Sequence, residues 1–120
     1  MRALVVDDSS AMRAILGMTL KRRGFEILQA KDGMDALNVL GSSGKVELIL
    51  IDWNMPGMNG LELLRRIRQQ SQYAGAQILM VTTETGTGQM SEALSAGANE
   101  YIMKPFTPDV VMDKLEMLGL

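Results

Sequence analysis

Apolar residues in this chain gather into short blocks, several of which stop on a polar side chain with chemistry of its own. VVDD at 5–8, LILID at 48–52, ILMVTT at 78–83 and YIMKP at 101–105 share this grammar. Apolar runs of four or five residues, bounded by turn signals and separated by helix-length stretches, read as buried strands of a parallel sheet. Strands are predicted at 3–7, 25–30, 46–52, 77–82 and 100–103. The second alternates more than the others, as a half-exposed edge would, and the third is the most apolar and belongs near the sheet centre.

The intervening segments have helical spacing. Ser9 or Ser10 caps the first helix, which carries Met12, Ile15, Leu16 and Leu20 until Gly24 ends it. A second helix is predicted at about 33–40, with GSSGK at 41–45 as a loop. The third, at about 61–70, turns Leu61, Leu64 and Ile67 inward and its arginines outward. TGTG at 85–88 precedes a fourth helix holding Met90, Ala93 and Leu94, and its two glycines predict a mobile start. Thr107, Pro108 and Asp109 read as N-cap, N1 proline and first-turn acid of a fifth, which buries Val111, Leu115 and Leu118. Five alternations of strand and helix describe an α/β fold, a (βα)5 doubly wound domain on a parallel five-stranded sheet with right-handed crossovers. No linker or internal repeat divides the chain, so 1–120 is read as one stand-alone unit.

Composition narrows the chemistry. The 120 residues carry a formal net charge of −2, with basic residues scattered apart from clusters at 21–23 and 65–68 that suit helix ends, so no nucleic-acid partner is expected. Absence of cysteine removes disulfides and thiolate chemistry, and absence of histidine means that any imidazole chemistry comes from a partner. No apolar stretch approaches the length of a membrane span and no leader precedes the first strand, so a cytoplasmic location with no membrane partner is expected. The eleven methionines read mainly as fillers of irregular core gaps.

Ligands of an open α/β sheet bind at the carboxyl ends of its strands, where Asp7, Asp8, Asp52, Thr82 and Lys104 would converge. Each has an ordinary explanation alone: adjacent acids cap helices, Asp52 suits a turn, threonine is a common strand residue and lysine a common surface one. Together they are more specific. Three neighbouring carboxylates repel strongly, and a hard divalent cation such as Mg2+, placed between Asp8 and Asp52 with Asp7 reached through water, offsets that repulsion. A carboxylate so placed attacks phosphorus to give an acyl phosphate. Asp52 is the candidate acceptor, Lys104 the opposing cation and Thr82 a hydroxyl donor, joined by backbone N–H groups just after Asp52 and Thr82. A magnesium-dependent phosphatase with an aspartyl nucleophile is the competing class. Such enzymes carry an acid two residues after the nucleophile, where this chain has Asn54, and a lid that no segment here supplies.

With VVDD, LILIDWNMPGMNG, ILMVTTE and YIMKPF in place, essentially the whole chain resembles the receiver domain of two-component response regulators. The resemblance implies the flavodoxin-like strand order 2-1-3-4-5 and phosphotransfer from a histidine kinase to Asp52. It further implies Mg2+ at Asp7, Asp8, Asp52 and the Asn54 carbonyl, and a cis bond before Pro105. By the same resemblance Thr82 and Tyr101 form a switch that reshapes the face of the fourth helix, last strand and fifth helix, in a signalling protein and not a multiple-turnover enzyme. WNMP after Asp52, together with Glu84 and Tyr101, is similar to the single-domain chemotaxis branch, in which Asn54 and Glu84 control access of water to the acyl phosphate. That likeness suggests a flagellar motor switch component as output partner, and a chain with no output domain gives little reason for a dimer, so a monomer is expected. Ser9 and the TGTG segment depart from enteric members, which leaves open a different output protein or a role as phosphate sink.

Overall fold

The computed structural model describes residues 1–83 and 87–120, with the backbone alone at Thr87. Along the chain run β1 (Arg2–Val6), α1 (Ser10–Arg22), β2 (Glu26–Ala30), α2 (Gly33–Ser42), β3 (Leu48–Asp52) and α3 (Gly60–Arg68). A 3-10 turn (Ser71–Tyr73), β4 (Gln77–Thr82), α4 (Thr87–Ser95), β5 (Glu100–Met103) and α5 (Pro108–Met117) complete it. The strands pair in parallel in the order β2-β1-β3-β4-β5, the flavodoxin-like arrangement expected. β3 is buried along its whole length at the centre, and β2 lies at one edge, as its alternation foretold.

Alternation along each strand sorts the core into two layers. Leu4, Val6, Ile49, Ile51, Ile78 and Met80 pack on one face with Leu40, Leu63, Leu64 and Ile67 from α2 and α3. Ala3, Val5, Leu48, Leu50, Leu79 and Val81 pack on the other with Leu16 and Leu20 of α1 and Val111 and Leu115 of α5. Local chemistry begins the helices. Side chains of Ser9, Asp32, Asn59 and Thr107 accept from the backbone N–H of Met12, Asp35, Glu62 and Val110 respectively, so Ser9 and not Ser10 caps α1.

The structure refines several sequence expectations. β1 stops at Val6 because the Asp7 carbonyl leaves the strand ladder for the side chain of Arg13. α2 runs on through Gly41 and Ser42, where the hydroxyl groups of Ser42 and Ser43 donate back to carbonyls of Asn38 and Val39 in the last turn. Ile15, at 49% exposure, stands one residue or about 100° from the buried Leu16 stripe, and Leu94 at 47% is likewise exposed while Ala93 is buried. Leu118 is only partly buried. Arg68 turns inward, unlike Arg65 and Arg66, and its guanidinium donates to the carbonyls of Gly97, Tyr73 and Ala76 and to Asn99 Oδ1 at 2.8–2.9 Å. The predicted mobile start of the fourth helix falls largely on residues outside those described.

The loop at 53–60, which carries the chain from Asp52 to α3, is closed by the Gly60 N–H donating to the Trp53 carbonyl at 2.9 Å. A Cβ at Gly60 would press on the Asp52 carbonyl oxygen and stand 2.8 Å from Trp53 Cα, both backbone atoms, whereas one at Gly41 in α2 would meet nothing within 4 Å. Gly60→Ala is therefore expected to lose about 1–3 kcal/mol despite a better helix propensity. Gly41→Ala should gain about 0.5–1 kcal/mol. Urea melts of the two variants, which place the same residue in neighbouring helices, check the contrast.

Candidate functional site

Register brings the candidate side chains to one edge. Val6 pairs with Ile51, so Asp7 comes level with Asp52, and Asp52 pairs with Val81, so Thr82 ends β4 one step beyond. Thr82 pairs with Met103, and the next residue, Lys104, continues the ladder by donating its backbone N–H to the Thr82 carbonyl at 2.7 Å. The Lys104–Pro105 bond is cis, as expected.

Asp7, Asp8 and Asp52 each offer a carboxylate oxygen, and these oxygens lie within 4.8 Å of one another. At an effective dielectric constant near 20, unit charges that far apart repel by about 3 kcal/mol per pair. Asp7 and Asp52 are almost wholly buried, at 1% and 5% exposure, while Asp8 faces solvent. The Lys104 ammonium lies 3.3 Å from Asp52 Oδ1 and 3.4 Å from Asp7 Oδ2, bridging the two buried members. Asp7 Oδ1 also accepts the Ser9 N–H at 2.9 Å. Burial pushes the Asp52 carboxyl up from its ordinary 3.8 and the Asp7 charge adds to the rise, while Lys104 and the Asn54 backbone N–H oppose it.

The remaining candidates are distributed around this cluster. Thr82 is buried at 2% exposure at the end of β4. Asn54 is exposed, gives its backbone N–H to the Asp52 carboxylate, and directs its side-chain amide to Thr83 Oγ1 at 3.4 Å. Tyr101 is not part of the cluster. It is partly buried against the layer containing Met80, the opposite face from Val81 and Ile102, with the Lys114 ammonium 4.9 Å from its ring centroid. Glu84 lies outside the described residues. Sequence reasoning missed Arg13, whose Nη1 donates to the Asp7 carbonyl at 2.6 Å while Nε donates to Gln29 Oε1 at 3.1 Å. No spacing rule links a helix side chain to a carbonyl of the preceding strand, so the sequence held no signal for it.

Four elements thus deliver an acidic cluster, a bridging lysine and a buried threonine to the carboxyl edge of a doubly wound sheet. The pattern of the response regulator receiver domain matches residues 3–116. The chain belongs to this family. Receiver domains serve phosphorylation-dependent two-component signalling and are switches, not metabolic enzymes. Among relatives, this receiver is 46% identical to the chemotaxis protein CheY1 of Helicobacter pylori over 119 residues, covering 98% of this chain and 96% of that one. It is 49% identical to a chemotaxis protein CheY homolog of Campylobacter jejuni over 117 residues, covering 97% and 90%. The structure of chemotaxis protein CheY4 of Vibrio cholerae superposes with a TM-score of 0.90 at 37% identity, covering 97% of this receiver and 96% of that chain.

The raised Asp52 pKa has a signed consequence. Because the folded state favours the protonated acid, ionised Asp52 costs stability, a cost absent below the ordinary value of 3.8 and complete once pH has risen through the folded value. In metal-free buffer Asp52→Asn is expected to be more stable than wild type at about pH 7, with the difference shrinking as pH falls toward about 4. Urea melts in chelator across that range check both the sign and the window.

Proposed function

We propose that this receiver is a phosphorylation-activated switch in a two-component chemotaxis pathway, accepting a phosphoryl group on Asp52 from a phosphohistidine of a histidine kinase. The observation that carries the reading is the Lys104 ammonium within 3.4 Å of both Asp7 and Asp52, inside a cluster of three carboxylates. A buried acid fixed beside a cation and an N–H donor is an oriented nucleophile, and phosphoryl transfer asks a protein mainly for orientation and charge stabilisation.

The donor set fits a hard cation: oxygen ligands only, converging within 4.8 Å, with Asp8 on the open side. Asp7, Asp8, Asp52 and the Asn54 carbonyl would hold Mg2+, which when bound supplies positive charge against the phosphoryl oxygens.

A carboxylate oxygen of Asp52 forms the new bond to phosphorus as the donor's N–P bond breaks, and the departing imidazole nitrogen takes up a proton. Lys104, already touching the attacking carboxylate, stabilises the negative charge on the transferred group. The Thr82 hydroxyl donates to a phosphoryl oxygen, and the Asn54 backbone N–H remains as a further donor beside the acceptor. Drawing Thr82 toward the phosphoryl group frees space on the sheet face it shares with Tyr101, and rotation of that ring inward changes the surface of α4, β5 and α5. Near-complete conversion between two states needs about 5.5 kcal/mol of differential stabilisation, so the output partner, a flagellar motor switch component in this reading, completes what phosphorylation begins. Asn54 and Glu84 set how quickly water reaches the acyl phosphate. The protein acts as a cytoplasmic monomer.

Trp53 is buried next to the proposed acceptor and reports on it directly. With Mg2+ and acetyl phosphate, wild type is expected to change its Trp53 fluorescence and gain the mass of one phosphoryl group. Asp52→Asn should do neither. An unshifted intact mass in wild type, with no fluorescence change beyond that caused by Mg2+ alone, would overturn the acceptor assignment.

A further inference from the structure

Past the last residue of β1, the Asp7 N–H still donates to the Ala30 carbonyl at 3.1 Å, as a continuing strand would. The Asp7 carbonyl does not continue the ladder; it accepts from Arg13 Nη1 at 2.6 Å. That guanidinium is itself aimed by β2, since Nε donates to Gln29 Oε1 at 3.1 Å. One side chain of α1 thus ties the end of β1 to its neighbour strand at the peptide joining Asp7 to Asp8.

The two acids depend on that peptide differently. The Asp7 carboxylate is independently held by the Ser9 N–H and by Lys104. Asp8 is exposed, and the direction of its carboxylate follows the backbone that precedes it. We infer that Arg13 is a positioning residue: by holding the Asp7–Asp8 peptide through the Asp7 carbonyl, it aims Asp8 at the carboxylate cluster and raises the cluster's affinity for a divalent cation. This inference rests on the cation site proposed above.

Position and charge pull in opposite directions, which makes the idea decidable. As a charge, Arg13 repels a cation, so its removal would tighten binding. As a clamp, it preorganises the ligands, so its removal weakens binding. Hydrogen-bond partners of metal ligands typically change affinity by about 10–100-fold. Arg13 acts one step further back, through the main chain, and a loss of about 3–10-fold is expected from the same effect.

The experiment is a Mg2+ titration followed by Trp53 fluorescence for wild type, Arg13→Met, Arg13→Lys and Gln29→Leu. It is run at low salt and again at about 0.5 M potassium chloride, where charge effects between exposed groups are largely screened. Arg13→Met is expected to raise the midpoint about fivefold at both salt concentrations. Arg13→Lys, which keeps the charge but loses the fork, and Gln29→Leu, which releases the guanidinium, should each raise it about twofold. Urea melts in chelator accompany each variant, because a role confined to stability would lower the melt and leave the midpoint in place. An unchanged or lowered midpoint in Arg13→Met overturns the inference. Should that variant not fold, an unchanged midpoint in both Arg13→Lys and Gln29→Leu does so. A wild type without saturable response overturns the cation site and this inference with it, whereas a saturating wild type beside an unmoved Arg13→Met overturns the role of Arg13 alone.

Discussion

Burial of carboxylates beside one another is the constraint on which this site depends. Oxygens of Asp7, Asp8 and Asp52 approach within 4.8 Å of one another, and two of the three side chains are buried, where water does little to separate their charges. Local N–H groups of Ser9 and Asn54 support Asp7 and Asp52, but the opposing charge is not local. The compensating ammonium comes from Lys104, 52 residues beyond Asp52 and past two further crossovers, so it reaches the carboxylates only when β1, β3, β4 and β5 lie side by side. The central strand β3, buried throughout, fixes Asp52 at its end, and the apolar layers on both sides supply the stability against which the repulsion is set.

The pleat of the sheet gives this edge two sides. Asp7 and Asp52 follow the alternation of Val5 and Leu50, toward the layer shared with α1 and α5. Thr82 follows Met80 and lies on the face of Tyr101, toward α2, α3 and α4. In the proposed function, chemistry occupies one side and readout the other. Thr82 is placed between them because it ends the strand that lies beside both β3 and β5.

Strand positions and the residues that end them were legible in the sequence, because a buried parallel strand has few ways to look other than a short apolar run, and the candidate side chains sit where each run stops; the strand order came from the family resemblance alone. Asp7, Asp52, Thr82 and Lys104 were found that way. The arginines were not. Arg68 reads as one of several cations at a helix end and Arg13 as an ordinary first-turn residue, yet each satisfies main-chain carbonyls of other elements. A long side chain reveals its use only when tertiary structure supplies its acceptors. The end of α2 was misplaced for a related reason: Gly and Ser favour a break, yet the helix continues through Ser42, and the Ser42 and Ser43 hydroxyl groups find acceptors in its own last turn.

Arg68 also differentiates the two ends of the molecule. Its guanidinium gathers the Tyr73 and Ala76 carbonyls ahead of β4 with the Gly97 carbonyl and the Asn99 side chain ahead of β5, and Asn99 Oδ1 in turn accepts the Ile78 N–H at 2.8 Å. All of these groups belong to the amino edge of the sheet, remote from the acidic cluster. The far ends of α4 and β5 are therefore fastened to a common post. The amino ends of β4 and β5 and the carboxyl end of α4 thus share the donors of one side chain, and the loss of that guanidinium would leave four acceptors at that edge to be satisfied anew.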